Sequence, residues 1–169
     1  MLENIPGVKV VVADYLDGKG RFARFKSHCS VKGYAAFAHL RYMDIQKEYP
    51  NVPIMIVGHS LGGIIARWLS FVKVFETKDV ILVGTPNYGI VPESFGLAYP
   101  LLWVLSSKWL CSVPVFRELL AGSKFFKELN YYGSPKDAKY IIGKKDSMVP
   151  EWSSDPHGIA IKVDCDHSV

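Results

Sequence analysis

The sequence predicts an α/β protein of three layers, in which helices cover both faces of a mostly parallel β-sheet. Short apolar runs alternate along the chain with longer segments of helical periodicity, as they do where crossover helices connect parallel strands. The apolar runs are nearly continuous, which is typical of strands buried on both faces. With 169 residues, of which 49% are hydrophobic and 21% charged, the chain has the size and composition of one domain with a substantial core.

Five apolar runs are predicted to be strands: residues 8–13, 53–58, 80–84, 139–143 and 158–163. Between the first two lies a segment, residues 31–49, whose apolar side chains recur at helical spacing. Pro50 and Asn51 end this predicted helix, and a second helical pattern begins after Gly63. No repeat, low-complexity tract or Pro/Gly linker interrupts the pattern, so residues 1–169 are predicted to form one α/β domain.

One long segment, residues 90–130, lacks this alternation of strand and helix patterns and is predicted to be a helical cap or lid insertion within the domain. Its residues 101–105 are apolar on every side of any helix that they form, so protein or lipid must cover them. The run is too short to span a bilayer, which needs about 20 apolar residues. Periodicity leaves two interpretations open, a buried cap helix and a mobile lid that faces lipid.

Charge and cysteine content exclude several classes of partner. The formal net charge of +4 is spread along the chain, and no run of Lys or Arg is interleaved with aromatic residues as a nucleic-acid groove requires. The chain has three cysteines, an odd number, and they lie far apart in the sequence: Cys29, Cys111 and Cys165. This argues against a disulfide framework or a zinc site. The N-terminus lacks the pattern of a secretory signal, so a cytoplasmic location is favoured if Met1 is the true start. No cofactor is expected.

The stretch Gly58-His59-Ser60-Leu61-Gly62 matches the pattern G-x-S-x-G, in which a strand turns sharply into a helix and holds the serine hydroxyl at the tip. Side chains in place of the glycines would collide in so tight a turn. A predicted strand precedes the motif and an amphipathic helix follows it, as the motif requires. The alternative is a glycine-rich turn whose serine only caps the helix.

A nucleophilic serine needs a base, and the base needs an acid that holds its tautomer. Asp146 and His167 each follow a predicted strand downstream of Ser60, at the end of the sheet where catalytic groups collect. Asp155 is the rival acid. The other four histidines lie before the serine, inside its motif or before the last strand: His28, His39, His59 and His157.

Simpler interpretations of these residues are open. Asp146 stands beside two lysines and is compatible with a solvated turn. His167 is followed by only two residues and is compatible with a frayed C-terminal residue. The run from Asp164 to His167 contains residue types that bind metals, but adjacent residues of an extended segment point to opposite faces and do not converge on one ion. No metal site is therefore predicted.

The chain resembles the α/β-hydrolases, and more narrowly their lipase and esterase branch. Five segments carry the resemblance in the family's order: GHSLGG at 58–63, VGTPNYG at 83–89, GSKFFKELN at 122–130, GKKDSMVP at 143–150 and DHS at 166–168. They resemble the nucleophile elbow, the "GTPxxG" segment, the "GSxFLxxLN" block that closes the cap insertion, the acid loop and the histidine loop.

The resemblance implies that Ser60 is the nucleophile, Asp146 the acid and His167 the base, and that the Leu61 backbone N–H is one oxyanion donor. The family also has an upstream strand that ends in His-Gly, and a helix after the histidine loop. Neither has a counterpart in this sequence, which therefore indicates a partial hydrolase fold that lacks the N-terminal strands and the C-terminal helix.

The resulting hypothesis is a serine hydrolase that cleaves carboxylic esters, with acyl chains of lipid type, through an acyl-enzyme on Ser60. Its partner is an ester or lipid substrate, and the cap is expected to contact a membrane or lipid interface transiently. The hypothesis assigns substrate contacts to His59 and Pro86 and, within the insertion, to Leu101, Leu105 and Trp109. The oligomeric state stays open.

Two alternatives remain at this stage. An acyltransferase would use the same residues, because nothing in the sequence separates water from an alcohol as the acceptor of the acyl group. A noncatalytic module that binds lipid or protein would keep the fold without a working oxyanion hole.

Overall fold

The computed structural model describes residues 5–13, 30–74, 79–91, 114–131, 133 and 137–167. Within these residues the strands are β1 (Ile56–His59), β2 (Val80–Val83), β3 (Lys139–Gly143) and β4 (Ile161–Val163). The helices are α1 (Val31–Glu48), α2 (Leu61–Phe71), α3 (Pro114–Leu119), α4 (Lys124–Tyr131) and α5 (Glu151–Ser154). None of the helices in this part of the chain is both long and apolar enough to cross a membrane.

The described strands form one sheet in the order β1-β2-β3-β4, and every neighbouring pair is parallel. β1 and β2 end at the same level, where His59 pairs with Val83. β3 and β4 also end together, at Gly143 and Val163, two residues beyond Ile141, the partner of Val83. All four strands run in the same direction. The segments that leave these strands therefore emerge at the same edge of the sheet, which we call the carboxyl edge. The predicted α/β class with a parallel sheet is confirmed.

The prediction of a strand at residues 8–13 is wrong. In the described segment 5–13 the chain forms no strand, and the side chains of Val8 and Val12 are 49% and 74% exposed. An apolar run becomes a strand only where a neighbouring strand accepts and donates its backbone hydrogen bonds, and local composition does not supply that neighbour.

Burial on both faces was predicted for every strand, and it holds best for the two inner ones. Leu82 of β2 and Tyr140 of β3 are buried. The side chains on the opposite face of these two strands are half-buried, except for the first residue of β3, Lys139, which is exposed. The two outer strands of the described sheet depart from the prediction, because Val57 of β1 is 49% exposed and Ile161 of β4 is 59% exposed. An outer strand has one neighbour fewer to cover its side chains.

Helix α1 starts and ends as its sequence predicts, within one residue. The Ser30 side chain accepts a hydrogen bond of 3.1 Å from the Gly33 backbone N–H, which satisfies one of the free donors of the first turn. The helix ends at Glu48, two residues before Pro50, which cannot continue it. Its buried face packs against α2.

Helix α2 is the centre of the core, because it contacts the sheet on one side and the other helices on the opposite side. Ala66 packs with the buried residues of β2 and β3. Ile64, Ile65 and Leu69 belong to a second cluster that α1, α3 and α4 complete. The members of that second cluster are Val31, Tyr34, Ala35, Ile64, Ile65, Leu69, Val115, Phe125, Phe126 and Leu129. A helix covered on both sides in this way keeps the residue before it, Ser60, in a defined position.

The first residue of the predicted insertion lies beside residues 119–121 of the same segment. Ile90 and Leu120 form a parallel bridge, in which the Ile90 N–H donates to the Leu119 carbonyl and the Ala121 N–H donates to the Ile90 carbonyl, both at 2.9 Å. Helices α3 and α4 lie in the C-terminal part of the segment for which an insertion was predicted. The apolar run 101–105, on which the choice between buried helix and lid depends, lies outside the described residues.

A buried arginine joins these segments. Arg67 of α2 is 2% exposed, and its Nη1 donates to the backbone carbonyl of Asn87 at 2.8 Å and to the side-chain oxygen of Asn87 at 3.2 Å. Its Nη2 donates to Asn130 Oδ1 at 2.9 Å and to the Gly133 carbonyl at 3.3 Å. Burial lowers the pKa of the guanidinium to about 10, so it stays charged at neutral pH.

We expect Arg67→Met to destabilise the fold, because it leaves the buried oxygens of Asn87 and the half-buried side-chain oxygen of Asn130 without this donor. Unsatisfied buried acceptors cost about 1–3 kcal/mol. For a chain of this size that corresponds to a melting temperature lower by about 2–4 °C per kcal/mol. The control is Arg41→Met, at an exposed position of α1. Equal melting temperatures of the two variants in thermal denaturation would contradict the role given to the buried guanidinium.

Candidate active site

Ser60 occupies a strained turn between β1 and α2. Its backbone torsions are φ 51° and ψ −120°, a region that residues other than glycine seldom adopt and that costs on the order of 1–3 kcal/mol. The Ser60 N–H donates to the Val83 carbonyl at 2.9 Å, so the turn is held by the neighbouring strand. The Ser60 side chain makes no capping hydrogen bond to α2. The interpretation of Ser60 as a helix cap therefore has no support.

Two glycines permit this turn by the absence of a side chain. A Cβ on Gly58 would lie 2.6 Å from the Gly63 Cα and 2.7 Å from the Gly62 carbonyl oxygen. A Cβ on Gly63 would lie 1.9 Å from Thr85 Oγ1, and real Cβ atoms do not approach other atoms so closely. At this point β1 and α2 therefore touch through backbone atoms, and the Thr85 side chain, from the segment after β2, packs against Gly63.

The structure brings Ser60, His167 and Asp146 together in one hydrogen-bonded chain. His167 Nε2 is 3.0 Å from Ser60 Oγ, and His167 Nδ1 is 2.8 Å from Asp146 Oδ2. An ionised carboxylate only accepts hydrogen bonds, so Asp146 accepts one from the Nδ1–H of His167, and Nε2 is left to accept a hydrogen bond from the Ser60 hydroxyl. The arrangement is able to move the hydroxyl proton of Ser60 onto His167.

The carboxylate of Asp146 is held by its own loop as well as by His167. Its Oδ1 accepts hydrogen bonds from the backbone N–H groups of Met148 and Val149, at 3.0 and 2.8 Å. The Asp146 side chain is 3% exposed and that of His167 is 15% exposed. Little solvent competes with the bond between them, and such shielding strengthens a charge-assisted hydrogen bond.

Asp155, the rival acid, has a different task. Its Oδ1 accepts hydrogen bonds from the backbone N–H groups of Ile159 and Ala160, at 3.0 and 3.2 Å, so it organises the turn that enters β4. His157 is in the same turn, and its ring lies 6.0 Å from the ring of Tyr140. The geometry therefore pairs Asp146, and not Asp155, with His167.

The loops that carry Asp146 and His167 are tied to each other. The Lys144 N–H donates to the Val163 carbonyl at 2.8 Å, and the Lys145 N–H donates to the Cys165 carbonyl at 3.0 Å. Since these bonds continue the pairing of β3 with β4, the two loops leave the sheet together. The acid and the base are thereby delivered side by side to the carboxyl edge.

The remaining predicted site residues are distributed as follows. Leu61 is the first residue of α2, so its backbone N–H has no acceptor within the helix. Pro86 is buried, and its carbonyl accepts from the Gly89 N–H at 3.0 Å. His59 is exposed, and its Nε2 lies 2.9 Å from the backbone carbonyl of His167. The three predicted contacts within the insertion lie outside the described residues: Leu101, Leu105 and Trp109.

Gly84 borders the site, and the sequence analysis gave it no role. It directly follows β2 with φ +50°, and a Cβ there would lie 3.4 Å from Asp146 Oδ2 and 3.5 Å from His167 Nδ1. Its N–H donates to the Ile141 carbonyl at 2.9 Å. A glycine immediately after an inner strand is the signal that points to such a position, because the backbone there lies against the groups of the neighbouring strand ends.

Two of the potential metal-binding residues in the run from Asp164 to His167 are paired with other side chains. Asp164 pairs with Lys145 at 3.0 Å, and His167 Nδ1 is taken by Asp146. In the part of the chain that the structure describes, no group of three or more Asp, Glu, His or Cys side chains is arranged to hold a metal ion.

The sequence matches no known protein family and no curated protein. The fold, by contrast, is similar to solved structures. The mature form of the lipase BlEst2 from Bacillus licheniformis aligns with 83% of this chain and 67% of its own, at 18% identity and a TM-score of 0.58. Its propeptide form aligns with 84% of this chain and 37% of its own, at 16% identity and a TM-score of 0.60.

Phospholipase PlaB from Legionella pneumophila aligns with 72% of this chain at 18% identity and a TM-score of 0.52, and the alignment spans 30% of that protein. The chain thus corresponds to between about a third and two thirds of the length of these three structures. At such identities the likeness is one of fold. The parallel sheet and its helices therefore have the same fold as part of these α/β lipase and phospholipase structures.

Proposed function

We propose that the protein is a serine hydrolase of carboxylic esters that works through an acyl-enzyme on Ser60. One observation carries the proposal: a continuous hydrogen-bonded chain runs from Ser60 Oγ through His167 to Asp146, with bonds of 3.0 and 2.8 Å. It begins on a strained turn that holds the serine at the carboxyl edge of the sheet. The structural neighbours BlEst2, a lipase, and PlaB, a phospholipase, are hydrolases and support the general class.

In the proposed reaction, Ser60 Oγ attacks the carbonyl carbon of the ester while its proton passes to His167 Nε2. The bond between carbon and the alcohol oxygen then breaks, and the departing alcohol takes the proton from His167. Water attacks the resulting acyl-enzyme in the same way, with His167 again accepting and returning a proton, and releases the carboxylic acid. Asp146 orients the imidazole and stabilises its charged form.

The negative oxygen of the tetrahedral intermediates needs hydrogen-bond donors that are already in place. Leu61 is the proposed donor, because its backbone N–H follows the nucleophile and is free of the helix ladder of α2. The partial positive charge at the start of an α-helix adds to this effect.

Two alternatives share the same geometry and are separated by experiment. If the acyl group is passed to an alcohol instead of water, the product in the presence of that alcohol is a new ester. If the protein only binds lipid, a serine-directed fluorophosphonate does not label it. Product analysis by mass spectrometry after incubation with a p-nitrophenyl ester and an added alcohol distinguishes these outcomes from hydrolysis.

We predict that Ser60→Ala lowers the turnover of a soluble p-nitrophenyl ester by about 10⁴-fold or more, because the nucleophile is removed. The fold should persist, since the Ser60 side chain caps no helix. Ser70→Ala is the matched control on α2. Its buried hydroxyl makes no hydrogen bond within the described part of the chain, so its loss should leave the activity unchanged. Residual turnover by Ser60→Ala close to that of Ser70→Ala would disprove the assignment.

We predict that Asp146→Asn lowers kcat by about 10⁴-fold, because an amide nitrogen facing Nδ1 donates a hydrogen bond instead of accepting one and favours the wrong tautomer of His167. Asp155→Asn is the control. It keeps an oxygen that accepts from Ile159 and Ala160, so we expect activity near that of the unmodified protein. The opposite ranking of the two variants in steady-state kinetics would identify Asp155 as the acid.

We propose further that the acyl group is of lipid type and that the apolar insertion binds it. The support comes from the sequence of residues 101–105 and from the lipase and phospholipase among the structural neighbours. An apolar surface that docks on lipid increases activity only where the substrate is aggregated.

Replacement of Trp103 and Leu105 by Ser is therefore expected to reduce hydrolysis of emulsified long-chain esters more than hydrolysis of a soluble short ester. The measurement is the ratio of the two rates, with the melting temperature recorded for each variant. An equal loss on both substrates together with a lower melting temperature would favour a buried cap helix instead.

A further inference from the structure

A second histidine contacts the proposed base through its backbone. His59 Nε2 lies 2.9 Å from the main-chain carbonyl oxygen of His167, although the two residues are 108 positions apart in sequence. Their rings are 5.0 Å apart and inclined by 41°. His59 is the last residue of β1 and directly precedes Ser60, so the residue beside the proposed nucleophile is bonded to the backbone of the proposed base.

The direction of this hydrogen bond is determined by chemistry. A backbone carbonyl oxygen only accepts hydrogen bonds, so His59 Nε2 must carry the proton and donate it. Both the neutral tautomer protonated at Nε2 and the charged imidazolium satisfy this requirement. Leucine offers no donor at this position, whereas glutamine places an amide N–H at a similar distance from its Cα.

The position of His59 in the sheet explains why such a bond matters. His167 follows β4, and β1 is at the other end of the described four-stranded order. With strands spaced by about 4.8 Å, the outer two are separated by roughly 14 Å. The loop after β4 must therefore return across the carboxyl edge before His167 reaches Ser60. His59 holds the far end of that loop.

The side chain and the backbone of His167 are bound to different parts of the fold. Its ring is bound to Asp146 and Ser60, and its carbonyl to His59. Closer to β4 the loop is tied through Cys165, whose carbonyl accepts from the Lys145 N–H at 3.0 Å. Removal of the His59 bond leaves the ring contacts in place but frees the backbone that carries them.

We infer that His59 is a positioning residue, which donates to the His167 carbonyl and holds the His167 loop in register over Ser60. The inference rests on the proposed function, in which His167 must stay aligned with the serine hydroxyl. Misplacement of a catalytic group by about 1 Å costs on the order of 10²-fold in rate. A hydrogen bond that contributes little to the stability of the fold therefore has a large effect on the rate at this position. The sequence hypothesis of a substrate contact by His59 predicts a different outcome, a change in KM.

The experiment compares His59→Leu, which lacks the donor, with His59→Gln, which keeps one. His157→Leu is the control, because His157 is an exposed histidine of another turn. For each variant kcat and KM are measured with a soluble p-nitrophenyl ester, together with the rate of Ser60 labelling by a small fluorophosphonate and the melting temperature. Hydrogen exchange of the peptide that contains residues 164–167 is followed by mass spectrometry.

We expect His59→Leu to lower kcat and the labelling rate by about 10–100-fold. Its KM should stay within about twofold and its melting temperature near that of the unmodified protein, because the bond is exposed. Exchange of the 164–167 peptide should become faster. His59→Gln should recover most of kcat and of the exchange protection, and His157→Leu should change none of these quantities.

An unchanged kcat in His59→Leu, a loss confined to KM, or equal defects in the Leu and Gln variants would each overturn the inference. Failure of the proposed function has a separate signature. In that case the unmodified protein is neither labelled at Ser60 nor active, and the contribution of His59 to the rate is disproved together with the proposed function. The exchange measurement then still shows whether His59 holds the loop.

Discussion

The close contact between β1, α2 and the segment after β2 is the constraint on which the rest of the structure depends. Three backbone segments meet where Gly58, Gly63 and Thr85 touch, and a single added Cβ at either glycine would overlap its neighbours. Strand and helix are separated there by one residue only. Ser60 is forced into a conformation with positive φ, and its hydroxyl is directed away from the helix ladder toward the carboxyl edge.

The parallel register of the sheet then supplies partners for that hydroxyl. Because β3 and β4 end side by side, the loops after Gly143 and Val163 leave the sheet together, at the same edge as the Ser60 turn. Bonds from Lys144 and Lys145 join the two loops, so Asp146 and His167 are presented as a pair. Each of these hydrogen bonds contributes only about 1 kcal/mol to stability. Their larger effect is to remove alternative positions of the acid and the base.

A polar network behind the site connects it to the insertion. Burial of the Arg67 guanidinium is unfavourable for its charge, and the oxygens of Asn87, Asn130 and Gly133 compensate by accepting its hydrogen bonds. Asn87 also donates through its side chain to the Ser154 carbonyl at 2.9 Å, which brings α5 into the same network. The helix after Ser60, the segment after β2 and the end of the insertion are thus one hydrogen-bonded unit.

Local patterns in the sequence were sufficient for much of this architecture. The bounds of β3 were predicted as observed, and α1 was predicted within one residue, because helical periodicity and continuous apolar runs are properties of short segments. The strand predicted at residues 8–13 was wrong, and so was full burial of β1 and β4, because both depend on what lies beside a strand. The α/β class did not depend on either detail.

The same division applies to the candidate site. By itself the sequence determined which residue types stand at the ends of strands and in the turn of Ser60. The parallel direction of the strands is enough to bring such residues to one edge of the sheet. Only the tertiary structure decided that Asp146 rather than Asp155 faces His167, that Gly84 borders the pair, and that His59 bonds to the His167 backbone. These contacts join residues that are distant in the chain, and the paths of the loops between them are set by packing and not by any local pattern.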